Sequence, residues 1–169
     1  RSVFEDTYNY MKNGTLFRQV INEINKIDFN SSSDRHLFND LYETILKELQ
    51  SAGSSGEYYT PRAVTQFMVD MVNPQLKETV LDPACGTGGF LTCIIDHKRS
   101  LVKNDKDEAL LQATIRGVEK KPLPHLLCTT NLMLHGFDVP GVSRGNYLTK
   151  PYSDWGSSDK VNVILTNPP

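Results

Sequence analysis

Long apolar runs are missing from this sequence of 169 residues. Its uncharged hydrophobic stretches are far shorter than the roughly 18 residues that a membrane span requires, which excludes a transmembrane helix. An excess of basic residues is also missing, because 18 lysines and arginines stand against 20 acidic residues and give a net charge of −2. Proteins that bind nucleic acid through a basic surface usually carry a positive excess. Any such role must therefore depend on a local site or on another subunit.

Cysteine is scarce, and Cys85, Cys93 and Cys128 have no metal-ligand spacing. The four histidines show neither the spacing of a zinc site nor that of a catalytic triad, so we expect no metal. No apolar segment follows Arg1, and we therefore expect no secretory signal. These features favour reduced, buried thiols in a cytoplasmic protein.

The composition, 38% apolar and 22% charged, is typical of a folded globular chain. A polar, glycine-bearing stretch at residues 50–56 separates two kinds of pattern. Before it, apolar residues recur at three- and four-residue steps from Phe17 to Ile27 and from Leu37 to Leu49, which predicts helices. We predict a helical N-terminal region over residues 1–50, a linker over residues 51–56 and a second domain over residues 57–169. The few N-terminal helices should pack on the second domain or on a partner.

The second domain alternates predicted helices and strands. Thr60 and Pro61 indicate the N-cap and first residue of a helix, which Asn73 and Pro74 end. One face of this helix is apolar, formed by Val64, Phe67, Met68, Met71 and Val72. Residues 79–81, 113–118 and 161–166 are predicted strands, and residues 90–95 and 123–134 predicted helices. The alternation predicts an α/β fold with a parallel sheet.

Ligands of parallel sheets bind at the carboxyl ends of the strands. A glycine cluster, Glu119 and Asn167 each follow a predicted strand, so we expect them at one edge of the sheet. The cluster, residues 82–90 (D-P-A-C-G-T-G-G-F), lacks the lysine of a P-loop and the G-x-G-x-x-G of dinucleotide sites. Its glycines allow a ligand to lie against the backbone, and Asp82 adds a carboxylate. This combination suits a cationic or zwitterionic ligand better than a pyrophosphate.

A glutamate at the end of a strand can accept two hydrogen bonds from a ribose diol, and Glu119 has that position. Each of the three signals also has a purely structural alternative. The glycine cluster could be a tight turn without a ligand, Glu119 a solvated residue beside two lysines, and Asn167-Pro168-Pro169 an ordinary turn. Their common placement after strands favours a binding site.

These motifs together resemble those of a known enzyme family. Residues 82–90 resemble motif I of class I S-adenosylmethionine-dependent methyltransferases, and Asn167-Pro168-Pro169 resembles motif IV of the amino-methyltransferases. Residues 56–62 (G-E-Y-Y-T-P-R) resemble the segment before motif I in adenine-N6 DNA methyltransferases. The motif order resembles the γ group, and within it the modification subunits of type I restriction-modification systems, to which residues 131–136 (N-L-M-L-H-G) are also similar. The resemblance covers most of the chain from about residue 34.

The resemblance implies a Rossmann-like methyltransferase sheet, incomplete because the chain ends after motif IV, with a small N-terminal helical region and with S-adenosyl-L-methionine as cofactor. The implied cofactor-binding residues are Tyr59, Thr60 and Pro61 at the methionine end, Asp82, Ala84, Gly86, Thr87 and Gly88 along the middle, Glu119 at the ribose and Asn146 near the adenine. Two positions depart from the family pattern. Asn146 and Asn162 stand where the family often has aspartate.

The resemblance further implies methyl transfer to N6 of a DNA adenine that is flipped out of the helix. Asn167 and the carbonyl of Pro168 would hold the target amine, in a motif completed by Pro169. The implied partners are DNA and the specificity and restriction subunits of a type I complex. We expect the isolated 169-residue chain to be inactive, because the pocket wall and stacking aromatic of the family follow motif IV. The alternatives are methylation of a protein glutamine or of RNA, and a non-catalytic module that docks a specificity subunit.

Overall fold

The computed structural model describes residues 11–28, 42, 44 and 60–168. The chain divides into two compact units, Arg1–Ala52 and Gly53–Pro169. The predicted linker over residues 51–56 lies outside the described residues, as do Tyr59 and Pro169. None of the helices in the described ranges is long and apolar enough to cross a membrane.

In the first unit, helix α1 spans Gly14–Ile24. It begins where the side chain of Asn13 accepts hydrogen bonds from two backbone N–H groups of the first turn, which would otherwise lack partners. The helix predicted from the apolar spacing is confirmed, although Ile27 lies beyond its end. The second apolar pattern, at residues 37–49, falls almost entirely outside the described residues.

The second unit alternates helices with parallel strands. Its helices are α2 (Arg62–Val72), α3 (Gly89–Arg99), α4 (Asp105–Ala113) and α5 (Pro122–Leu134), and its strands are β1 (Val80–Asp82), β2 (Ile115–Glu119), β3 (Val142–Arg144) and β4 (Val163–Ile164). The described strands form a sheet of order β3-β2-β1-β4 with parallel pairing throughout. The predicted α/β fold is confirmed. Since all strands run the same way, their carboxyl ends share one edge.

The hydrophobic core lies where α3 and α5 pack on the sheet. Leu91, Ile94 and Ile95 of α3 are fully buried, together with Ile115 of β2 and Leu132 of α5. Burying such side chains stabilises each by about 1.5–3 kcal/mol relative to exposure. The core therefore fixes the end of β1 and the start of α3, and with them the loop that joins the two.

Helix α2 differs in detail from its prediction. Pro61 is the N-cap rather than the first helical residue, and the helix starts at Arg62. The buried residues of α2 are Thr65 and Val69, and the Thr65 hydroxyl lies 3.2 Å from the Cys93 thiol of α3. Most of the predicted apolar face is exposed, namely Val64, Phe67, Met71 and Val72. The packed side of α2 is therefore formed by Thr65 and Val69, with Met68 partly buried against the core.

Helix α4, strand β3 and three short 3-10 helices between β3 and β4 were not predicted, and all three predicted strands have different limits. Helix α4 takes up Ala113, so β2 starts only at Ile115. Strand β3 pairs in parallel with β2. Strand β4 is two residues long instead of the predicted six, although the backbone of Leu165 still donates to Leu81. The residues after β4 are therefore held next to the end of β1.

Candidate active site

The loop between β1 and α3 turns through two glycines with positive φ angles. Gly86 has φ 54° and Gly88 has φ 92°, both in the left-handed region that other residues enter only with strain. Gly88 is also the N-cap of α3, and its N–H donates to the carbonyl of Cys85 at 2.8 Å. The conformation explains why the sequence has glycine at both positions.

The two glycines face different surroundings. A Cβ atom on Gly88 would lie 2.9 Å from the Sγ atom of Cys128 and 3.4 Å from Leu132, both on α5. A Cβ on Gly86 would meet no atom within 4 Å. Gly88 therefore lets the loop pack on α5, whereas Gly86 presents its backbone to open space. Of the two, Gly86 is the one placed to receive a ligand against the main chain.

Asp82 ends β1 and is almost fully buried, with 2% of its surface exposed. Its Oδ1 atom accepts the N–H of Ala84 at 3.1 Å. Burial raises the pKa of Asp82 from 3.8 to about 6; the Thr166 hydroxyl and the Ala84 N–H act against this rise, and the nearby Glu119 carboxylate adds to it. Burial thus disfavours the ionised carboxylate of Asp82, and a positively charged group bound beside it would stabilise this form.

Glu119 ends β2 and reaches across to the loop. Its Oε2 atom accepts the N–H of Gly86 at 2.9 Å, and its Oε1 atom accepts the N–H of Lys121 at 2.7 Å. The structure therefore brings together the predicted glycine loop and the predicted ribose-binding acid. Each carboxylate oxygen keeps a lone pair for a further donor.

Asn167 follows β4 and contacts the segment before α2. Its Nδ2 atom donates to the Oγ1 atom of Thr60 at 3.0 Å. The amide and the neighbouring Pro168 are exposed, so both can reach a molecule outside the core. Two predicted parts of the site, Thr60 and Asn167, are therefore in contact.

The remaining predicted cofactor residues have local structural roles. Asn146 is exposed and caps a short 3-10 helix, because its Oδ1 atom accepts the N–H of Leu148 at 3.1 Å. The carbonyl of Thr87 accepts the side-chain amide of Asn131 from α5 at 3.2 Å. Pro61 is the exposed N-cap residue of α2. These contacts explain local geometry and assign no ligand.

A cavity of about 320 Å³ lies along the sheet, apart from the glycine loop. It is lined by residues of β1, β2 and β3 and of the segment between β3 and β4, among them Arg116, Tyr147, Lys150 and Asp159. Lys150 and Asp159, both in this lining, form an ion pair at 2.6 Å. Of the predicted cofactor residues, Asn146 lines this cavity, whereas Asp82, Gly86 and Glu119 do not. The cavity is therefore distinct from the site at the glycine loop.

Thr166 is a residue of this site that the sequence analysis did not identify. Its hydroxyl lowers the pKa of Asp82. No pattern in the sequence marked it; the structure pairs Leu81 with Ile164 and so places the ends of β1 and β4 side by side. Within the described part of the chain, no group of histidine, cysteine and acidic side chains could hold a metal ion. The described cysteines are buried, as expected.

Comparison with known proteins identifies the family. Residues 33–169 match the N-6 DNA Methylase family. The methylase subunit of the type I restriction enzyme EcoEI from Escherichia coli is 60% identical over the whole chain, which spans 34% of that relative. A modification subunit of a putative type I restriction enzyme from Vibrio vulnificus YJ016 has 49% identity and a TM-score of 0.86, over 99% of this chain and 35% of its own.

A chain from a structure of a type I R-M system gives a TM-score of 0.89 at 38% identity, over all of this chain and 35% of its own. This chain therefore belongs to the N-6 DNA methylase family, and the resemblance to type I modification subunits is confirmed. It spans about a third of the length of these relatives.

Proposed function

We propose that this chain is the cofactor-binding part of a type I modification subunit that methylates N6 of adenine in DNA. The observation that carries the proposal is the joint placement of Gly86, Glu119 and Asn167 after parallel strands, in a chain of the N-6 DNA methylase family. Family membership implies a methyl donor, and we propose S-adenosyl-L-methionine. This cofactor supplies an electrophilic methyl group on a positively charged sulfur.

The residues of the site fit such a cofactor. Open space over Gly86 admits a ligand against the backbone, and the carboxylates of Asp82 and Glu119 complement a positive charge and hydroxyl donors. We propose that the cofactor is held by Tyr59, Thr60 and Pro61 at its methionine end, by Asp82, Ala84, Gly86, Thr87 and Gly88 along its middle, by Glu119 at its ribose and by Asn146 at its adenine.

The proposed catalytic groups act on the target amine. The lone pair of the adenine N6 is delocalised into the ring, which makes this nitrogen a poor nucleophile. The Oδ1 atom of Asn167 and the carbonyl oxygen of Pro168 would accept its two hydrogens and draw the nitrogen toward a tetrahedral shape. The ring of Pro169 would fix the backbone beside that carbonyl. Orientation and fixed dipoles then provide most of the rate gain.

We propose DNA as the substrate, with the target base flipped out, because an amine inside the duplex cannot reach a protein site. The near-neutral charge of the chain supplies no general phosphate attraction. We therefore propose that a specificity subunit binds the DNA target and that a restriction subunit completes the complex. The proposed location is the cytoplasm.

The experiment that tests this proposal uses the complete protein with its specificity subunit. Unmethylated genomic DNA, total RNA and a protein extract are incubated in separate reactions with methyl-labelled cofactor and digested, and the labelled nucleosides and amino acids are identified by mass spectrometry. The proposal expects label in N6-methyl-2′-deoxyadenosine from DNA. Label found in protein glutamine or in RNA would support the alternative substrates, and an unlabelled but stable complex would support an assembly module.

A further inference from the structure

The bond between Asn167 and Thr60 joins two segments that are 107 positions apart in the sequence. Thr60 directly precedes Pro61, the N-cap of α2, and α2 is anchored on α3 through its buried Thr65 and Val69. Asn167 follows β4, where Leu165 still bonds to Leu81 of β1. Both ends of the contact are therefore fixed by packed elements.

In this structure the NH2 end of the Asn167 amide lies on the Thr60 hydroxyl. An asparagine side chain carries a carbonyl that accepts and an NH2 group that donates, and the two ends have nearly the same shape. With the NH2 group of Asn167 on Thr60, the Oδ1 atom remains available to accept a hydrogen. The reversed amide would present hydrogens to an amine that also presents hydrogens.

We propose that Thr60 is a positioning residue for methyl transfer: its hydroxyl holds the Asn167 amide so that Oδ1 faces the target amine. This inference rests on the proposed function of Asn167. It gives the side chain of Thr60 a role in the reaction that is distinct from contact with the cofactor. A fixed amide needs no reorganisation as the amine changes shape, and such preorganised dipoles account for large rate effects in enzymes.

The kinetic test compares Thr60→Val, which keeps the shape and removes the hydroxyl, with Thr60→Ser, which keeps the hydroxyl. In the complete protein with saturating DNA and saturating S-adenosyl-L-methionine, we expect Thr60→Val to lower kcat at least tenfold, in addition to any change in the Kd for the cofactor. Thr60→Ser should restore kcat to within threefold of wild type. Thr130→Val is the matched control, because the Thr130 hydroxyl donates to the Leu126 carbonyl of its own helix. An unchanged kcat, or a loss confined to cofactor affinity, would overturn the proposal.

A second measurement is independent of activity. The protein is labelled with ¹⁵N-asparagine, and the side-chain amide signal of Asn167 is identified by its disappearance in Asn167→Ala. This signal should shift in Thr60→Val and stay near its wild-type position in Thr60→Ser and Thr130→Val. A signal that Thr60→Val leaves unchanged overturns the inference even in an active enzyme. If the signal shifts but wild type transfers no methyl group to DNA, the proposed function fails and Thr60 is shown to orient Asn167 without a role in that reaction, which also overturns the inference.

Discussion

The Oε2 atom of Glu119 accepts the backbone N–H of Gly86 at 2.9 Å, across 33 positions of sequence. The other carboxylate oxygen accepts the N–H of Lys121 at 2.7 Å. One side chain thus ties the glycine loop after β1 to the end of β2. Hydrogen bonds to a charged acceptor contribute about 1.5–3 kcal/mol each, so this carboxylate shapes the loop before any ligand binds.

Replacing Glu119 by glutamine tests this tie. An amide has one acceptor oxygen in place of two, so Glu119→Gln should point an NH2 group at the N–H of Gly86 or Lys121. We expect the cofactor Kd to rise at least tenfold, equivalent to about 1.4 kcal/mol, as measured by calorimetry. Glu23→Gln, on the exposed surface of α1, is the control and should bind as wild type does. Equal affinity of Glu119→Gln and wild type would contradict the assigned role.

The buried carboxyl of Asp82 should make stability depend on pH. Its pKa is raised to about 6 in the folded protein from 3.8, so between these values the folded state holds a proton that the unfolded chain has released. Stability that is present at lower pH is therefore lost as the pH rises through about 6. At 1.36 kcal/mol per pKa unit, the loss at pH 7 is at most about 3 kcal/mol.

Asp82→Asn isolates this effect because the amide does not ionise. Relative to wild type, this variant should gain up to about 3 kcal/mol of unfolding free energy between pH 4 and pH 7 in denaturant titrations. The same variant should bind a cationic cofactor more weakly, since the negative charge is gone. A wild-type advantage that grows as the pH rises would show that the Asp82 carboxylate is stabilised in the fold.

Gly86 and Gly88 should respond differently to alanine. In both variants the alanine must adopt the positive φ of the glycine that it replaces, which lowers the free energy of unfolding by about 1–2 kcal/mol. Gly88→Ala also places a methyl group 2.9 Å from the Cys128 sulfur, and overpacking adds about 1–3 kcal/mol. Thermal unfolding should therefore show a clearly larger loss for Gly88→Ala. Gly86→Ala should instead reduce cofactor affinity, because its methyl group enters the open space over the loop. Equal melting temperatures for the two variants would contradict this division of roles.

The part of the site that could be predicted from the sequence consists of acidic residues at the ends of strands. Asp82 and Glu119 each end a strand, and parallel pairing alone brings such residues to a common edge. The contact between Thr60 and Asn167 could not be predicted in this way, since it depends on how α2 packs on α3. The resemblance placed Thr60 beside the cofactor but gave no reason for its hydroxyl to meet Asn167.

The missed elements have physical causes as well. Strand β3 contains one partly buried residue, Val142, and is held by pairing with β2 rather than by an apolar pattern. Helix α4 is defined by its N-cap, since Asn104 accepts two backbone N–H groups and acidic side chains follow in the first turn. Its apolar pattern is weak, and Leu111 is its buried residue. Both elements depend on tertiary context or on capping.

The most direct test of the account is the methyl-transfer rate of Asn167→Ala in the complete protein with its specificity subunit. Removing one preorganised polar group from an active site typically lowers kcat by about 100-fold or more. We predict a loss of that size with the cofactor Kd unchanged, and no loss in Asn25→Ala, an exposed asparagine after α1. Wild-type kcat in Asn167→Ala would contradict the claim that the residues after β4 hold the target amine.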